Sequence, residues 1–145
     1  LSNIKNDAIK SILSAKLLEA HNRGISISVE VEEPISNFRI ELLDFITVLS
    51  VLCDNAIEAA AETISPKMTV VFINNDNSLV LIVENSIKSE KVEVSHIFVR
   101  GHSSKGEGRG IGLYNVNSIL EKYPKSTITT RSANHLFSQT IRFCK

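Results

Sequence analysis

What this 145-residue chain has little of narrows its function first. It carries no surplus charge: Lys+Arg and Asp+Glu are both 16. Nothing therefore points to a nucleic-acid partner or to an anionic membrane surface. No apolar run approaches the roughly 20 residues of a membrane-spanning helix, and no signal-peptide pattern opens the chain. Its 2 cysteines, Cys53 and Cys144, lie far apart. They make neither a disulfide framework nor a paired metal spacing, and read as reduced thiols of a cytosolic domain. Because it opens on Leu1 and not on methionine, the chain is expected to be a piece of a longer protein. Glycine is scarce and clustered. Of the 6 in the chain, Gly101, Gly106, Gly108, Gly110 and Gly112 crowd into or just before "SSKGEGRGIGLYNVNSIL", Ser103 to Leu120.

What is present suffices for one soluble domain, with 43% hydrophobic and 22% charged residues. Apolar residues from Ile4 to Ala20 mark one face of a helix, stopped by Gly24. "ISISVEVEE" alternates as a half-buried strand, and a long helix is expected from about Ile40 to Ala61, closed by Ser65-Pro66. "MTVVFINNDNSLVLIVEN" reads as a hairpin around Asn74–Ser78. From Asn85 to Arg109 the pattern weakens, which in a compact domain points to a functional lid. Helical spacing resumes at Ile111, and two strands, "STITTRS" and "LFSQTIRFC", follow. The order α, β, α, β, β, lid, α, β, β predicts an α+β, two-layer sandwich. Its sheet is mixed, mostly antiparallel, with helices on one face.

Two stretches carry chemistry. The run Gly108-Arg109-Gly110-Ile111-Gly112-Leu113 leads into a helix. Helix N-termini offer unpaired N–H groups and a positive dipole end, so the run is either a flexible linker or an anion cradle. Lys105 and Arg109 add charge suited to phosphate. The spacing is not a Walker A loop, since no Gly-Lys-Ser/Thr follows four intervening residues, nor a dinucleotide fingerprint, since isoleucine occupies position 111. The second stretch is "LSVLCDNAIEAA", where Asp54, Asn55 and Glu58 interrupt an apolar helix face. Asp54 and Glu58 are either a solvated edge or functional. Asn55 reads as functional, because an amide oxygen is a hard ligand suited to Mg²⁺.

Together, "DNAIEA" and "IFVRGHSSKGEGRGIGL" resemble the N-box, F-box and G-box of the Bergerat-fold ATPase and kinase superfamily, which includes gyrase, MutL and histidine kinases. Within it the chain is most similar to the catalytic domain of histidine kinases, and more narrowly to the peptide-pheromone quorum-sensing group, the AgrC and ComD type. The resemblance implies ATP and Mg²⁺ as ligands, with a mobile ATP lid. It makes Asn55 the magnesium-holding asparagine and Phe98 the F-box aromatic. Lys105, with Ser103 and Ser104, becomes the lid segment reaching the terminal phosphate. Gly108, Arg109, Gly110, Ile111, Gly112 and Leu113 become the phosphate-binding turn. Phe98 could equally be plain packing, and Arg100 and Arg109 solvated.

This sequence departs from that family at two places. Asn85, in "VENSIKS", stands at the adenine-reading aspartate with no glycine after it. Its carbonyl can still accept from the adenine amino group, without a carboxylate's charge, so weaker nucleotide binding is expected. Val51 stands where hydrolytic members carry a glutamate base, and it cannot take a proton from water. A histidine phosphoacceptor is not expected within the chain: His21 reads as a helix C-terminal histidine, and His96, His102 and His135 as surface or packing residues. The resemblance thus implies transfer to a histidine on the protein's own dimerisation region and a cognate response regulator as partner. It also implies a homodimer in the full-length protein, with the fragment itself monomeric, in the cytoplasmic part of a membrane-anchored bacterial sensor. Residues 1–22 are expected to be the tail of the dimerisation region and 23–145 the catalytic domain. Two rivals stay open: a degenerate nucleotide-sensing or docking module, and a serine kinase of the anti-sigma-factor type.

Overall fold

The computed structural model describes residues 1–90 and 107–144, with residues 107–111 described as backbone alone. Three helices and five strands follow in the order α1 (Asp7–Asn22), β1 (Ser26–Val31), α2 (Leu42–Ala61), β2 (Lys67–Asn74), β3 (Leu79–Ser86), α3 (Glu107–Leu120), β4 (Thr127–Ala133) and β5 (Leu136–Phe143). The strands form one sheet in the order β1-β2-β3-β5-β4. β1 and β2 are parallel, joined through α2, and every other pairing is antiparallel. The helices lie side by side on one face, α2 in the middle and touching both neighbours. The expected two-layer sandwich is the architecture found.

Local chemistry sets the helix ends. α1 starts at Asp7, later than the apolar pattern suggests, because the Asn6 side chain caps it by accepting from Ile9 N at 3.0 Å. Ile4 instead pairs with Ile35 in an isolated parallel bridge and is fully buried. At the other end Gly24 takes φ +77°. Gly24 N donates to His21 O and Ile25 N to Ala20 O, both at 3.0 Å, a Schellman stop that only glycine forms without strain. The β4–β5 turn uses Asn134 and His135, both at positive φ, as a primed two-residue hairpin requires. α3 begins at Glu107, so Gly108, Gly110 and Gly112 lie inside the helix and not ahead of it. Side-chainless residues leave no apolar period, which is why the spacing shows the helix only from Ile111.

The core sits between the sheet and α2. Phe45, near the start of α2, packs on Phe143 with ring centroids 4.8 Å apart. Beyond its end, Thr63 Oγ1 lies 3.0 Å from Ser86 Oγ. α2 therefore runs along β3 from the Leu79 end to the Ser86 end. α3 runs the opposite way. Tyr123, just past its end, donates to Asp44 Oδ2 at 2.5 Å and accepts from Glu41 N at 3.2 Å. Lys122 Nζ adds a 3.0 Å ion pair to the same carboxylate. Midway, a Cβ on Gly112 would stand 3.2 Å from Val51 Cγ1, so the two helices are in close contact there.

Two predictions follow from this helix pair. Tyr123→Phe should lower stability by about 1 kcal/mol in chemical denaturation. The Tyr123 hydroxyl, more than Lys122, holds the Asp44 carboxyl below its ordinary value against the opposing effect of burial. That contribution is complete above about pH 4 and fades as pH falls through the lower folded-state value, so the variant should lose stability less steeply in acid. Gly112→Ala alone should gain little, because Val51 is β-branched, held in one rotamer in a helix, and cannot swing aside. In a Val51→Ala background the same change should show the ordinary helix-propensity gain of about 1 kcal/mol.

Candidate active site

Asn55 lies one helical turn after Val51 on α2, and Gly108 one turn before Gly112 on α3. Since the helices are antiparallel and touch at Val51 and Gly112, Asn55 comes level with the first turn of α3. The structure thus brings together the two stretches that carried the sequence argument. Asn55 is half-buried, and so is Glu58, a turn further on. Asp54 faces the other way and forms a 2.6 Å ion pair with Lys16 of α1, which makes it a bracing residue between helices. Beside it Cys53 is fully buried, and burial pushes its thiol up to about 12, with Asp54 adding to the effect. It stays a neutral thiol, which suits core packing.

Asn85 occupies the end of β3, opposite Met68 on β2 and Phe137 on β5. It is only 3% exposed and follows Leu81 and Val83 in the strand's inward phase. Its Nδ2 donates to Ser86 O at 2.9 Å, which leaves the carbonyl oxygen as the group able to accept from a ligand. Because α2 runs toward the Ser86 end of β3, Asn85 lies under its Asn55-bearing half. Gly112 and Leu113 are half-buried, and Leu113 packs on the core. Gly112 has a steric role toward Val51 whatever it does toward phosphate. The backbone of Gly108, Arg109, Gly110 and Ile111 forms the start of α3. Phe98, Arg100, Ser103, Ser104, Lys105 and the expected lid lie outside the described residues, as do His96 and His102. His21 and His135 are exposed, at the end of α1 and in the β4–β5 turn.

The donor set can be tested against magnesium. No group of three or more His, Cys, Asp or Glu able to hold a metal occurs among the described residues. What α2 offers is a hard amide oxygen at Asn55, with the Glu58 carboxylate a turn away. That suits an ion which keeps its waters and relies on substrate phosphates.

Sequence reasoning missed Gln139 and the group formed by Asp44, Lys122 and Tyr123. Gln139 left a signal: in "LFSQTIRFC" it stands in phase with Phe137, Ile141 and Phe143, one polar residue in an apolar register. The Asp44 group left none, since its members are about 80 residues apart.

Solved structures share this fold, and curated proteins share sequence with the chain. The catalytic domain of histidine kinase ThkA superposes with a TM-score of 0.80 at 20% identity, covering 97% of this chain and 92% of that one. The same kinase in complex with response regulator protein TrrA gives 0.77 at 18% identity, over 97% of this chain and 40% of that one. In sequence, Sensor protein CitS of Bacillus subtilis is 33% identical over 126 residues, which are 83% of this chain and 23% of that protein. Sensor histidine kinase DcuS of Escherichia coli is 29% identical over 144 residues, 96% of this chain and 26% of that protein. The chain spans about a quarter of the length of these curated relatives. The GHKL domain profile matches residues 40–144, from just before α2 through β5, and so takes in Asn55, Asn85 and the whole of α3: the chain belongs to the GHKL domain family.

Proposed function

We propose that this chain is the ATP-binding catalytic domain of a sensor histidine kinase. It transfers the γ-phosphoryl group of ATP to a histidine on a dimerisation region elsewhere in the protein. The observation that carries the reading is Asn55 set level with the first turn of α3 across the Val51–Gly112 contact. A nucleotide polyphosphate between them would meet an amide oxygen on one side and helix N–H groups on the other. Magnesium, when bound, would neutralise charge on the phosphate oxygens, and Asn55 is the residue that would hold it. Asn85 would accept from the adenine amino group. Lys105, with Ser103, Ser104 and Arg109, belongs to the same reading as neighbours of the terminal phosphate. In the transfer the bond from the γ-phosphorus to the ADP oxygen breaks and a bond to an imidazole nitrogen forms. The chain's part is orientation and charge.

Val51 favours transfer to a protein over hydrolysis. Its isopropyl group takes no proton from water, and it lies against Gly112 in close contact. α1 is read as the link to the dimerisation region: its Ile9, Leu13 and Ala20 are buried in the catalytic core and Lys16 pairs with Asp54. No helix among the described residues is long and apolar enough to cross a membrane. The reading places the chain on the cytoplasmic side of a membrane-anchored, dimeric sensor that hands its phosphoryl group to a response regulator. A relative named Probable C4-dicarboxylate sensor kinase, from Bacillus subtilis, is 25% identical over 127 residues. The relatives lend the peptide-pheromone, quorum-sensing expectation no support, and a carboxylate signal is the better proposal.

Calorimetric titration of ATP with and without Mg²⁺ tests this. Binding should require magnesium, and Asn55→Ala should weaken it at least tenfold while leaving the fold intact by circular dichroism. Asn85→Asp, restoring a charged acceptor, should tighten ATP binding about tenfold. A folded chain that binds no ATP under any condition would sink the kinase reading and favour a docking module. A native chain that begins near Leu1 and phosphorylates serine on a partner would favour the serine kinase.

A further inference from the structure

The inward face of the sheet changes character along its length. The rung Phe72, Leu81, Ile141 and Ile128 is apolar across four strands. One rung on, Val70 and Val83 are followed by Gln139 and Thr130. On the next, Met68 and Asn85 are followed by Phe137 and Ser132. Gln139 is 2% exposed, and its Nε2 donates to Thr130 Oγ1 at 3.1 Å. A buried primary amide on a core strand is costly unless its hydrogen-bonding groups find partners. It sits diagonally across from Asn85, a spacing of roughly 7–8 Å between backbones that long side chains bridge. Asn85 lies beneath the half of α2 that carries Asn55.

We infer that Gln139 is a specificity-determining residue of the nucleotide site, donating to N1 of adenine beside the Asn85 carbonyl. The inference rests on the nucleotide-binding reading above and deepens it. Asn85, its amide nitrogen bound to Ser86 O, presents an acceptor, which matches the N6 amino donor. The neighbouring atom on that edge, N1, is an acceptor and needs a donor. The Gln139 amide carries two N–H groups, and the Thr130 bond uses one. Acceptor beside donor is complementary to adenine and opposed to guanine, whose O6 accepts and whose N1 donates. A site that commits buried polar groups in this order rejects the reversed edge.

The test is titration of Mg-ATP, Mg-GTP and 1-deaza-ATP, in which N1 is replaced by CH, into wild type, Gln139→Met and Asn55→Ala. Wild type should bind ATP about tenfold tighter than 1-deaza-ATP. Gln139→Met should lose that tenfold for ATP, bind ATP and 1-deaza-ATP alike and bind GTP no more weakly than wild type does, so that the preference for ATP over GTP shrinks by at least the same factor. Asn55→Ala should weaken all three together and keep their ratios. Equal affinity of wild type for ATP and 1-deaza-ATP overturns the proposal, as does an unaltered ATP-to-GTP ratio in folded Gln139→Met. A Gln139 that only braces β4 through Thr130 gives that second result. Should Gln139→Met not fold, the wild-type comparison decides alone. A wild type that binds no nucleotide overturns the site itself and this proposal with it, whereas binding without base preference overturns only the role of Gln139.

Discussion

The closeness of α2 to α3 at Val51 and Gly112 is the constraint on which the rest of the site depends. A side chain at position 112 would crowd Val51, and the contact fixes what stands opposite what. A turn to one side of the contact lie Asn55 and the first turn of α3. On the other, the Asp44 carboxylate, Tyr123 hydroxyl and Lys122 ammonium close the pair. The contact and the polar tie hold α3 against α2 at two heights. Orientation of this kind is the main contribution a protein makes to phosphoryl transfer.

The sheet has two tasks that pull against each other. Toward the Phe143 end it builds an apolar core, with Phe45 against Phe38 and Phe143. Toward the Ser86 end it buries the amides of Asn85 and Gln139, which weaken a core and are tolerated only because Ser86 O and Thr130 Oγ1 accept from them. The pairing of Lys16 with Asp54 ties α1 into the same region, one residue from Asn55.

Much of this was legible in the residues. The strand alternations and the α2 periodicity gave the two-layer architecture, and Gly24 marked the end of α1 through the left-handed conformation it adopts. Asn55 stood out as an amide in an otherwise apolar helix, and the glycine run pointed to a helix N-terminus. Its extent was not legible. Glycines carry no hydropathy, so the turn from Glu107 to Gly110 was hidden until backbone geometry placed it inside α3. Asp54 illustrates the opposite case: sequence left its role open, and Lys16, 38 residues away, resolved it as a brace.

The sequence by itself determined the element order, the faces that are buried and the residue types able to meet phosphate and metal, because those follow from local periodicity and side-chain chemistry. Tertiary structure alone decided which of them meet. It set Asn55 against α3, gave Gly112 a steric role toward Val51, and placed Gln139 diagonally across from Asn85 through the pairing of β3 with β5. Such juxtapositions depend on strand register and helix packing between residues distant in the chain, and no local pattern encodes them.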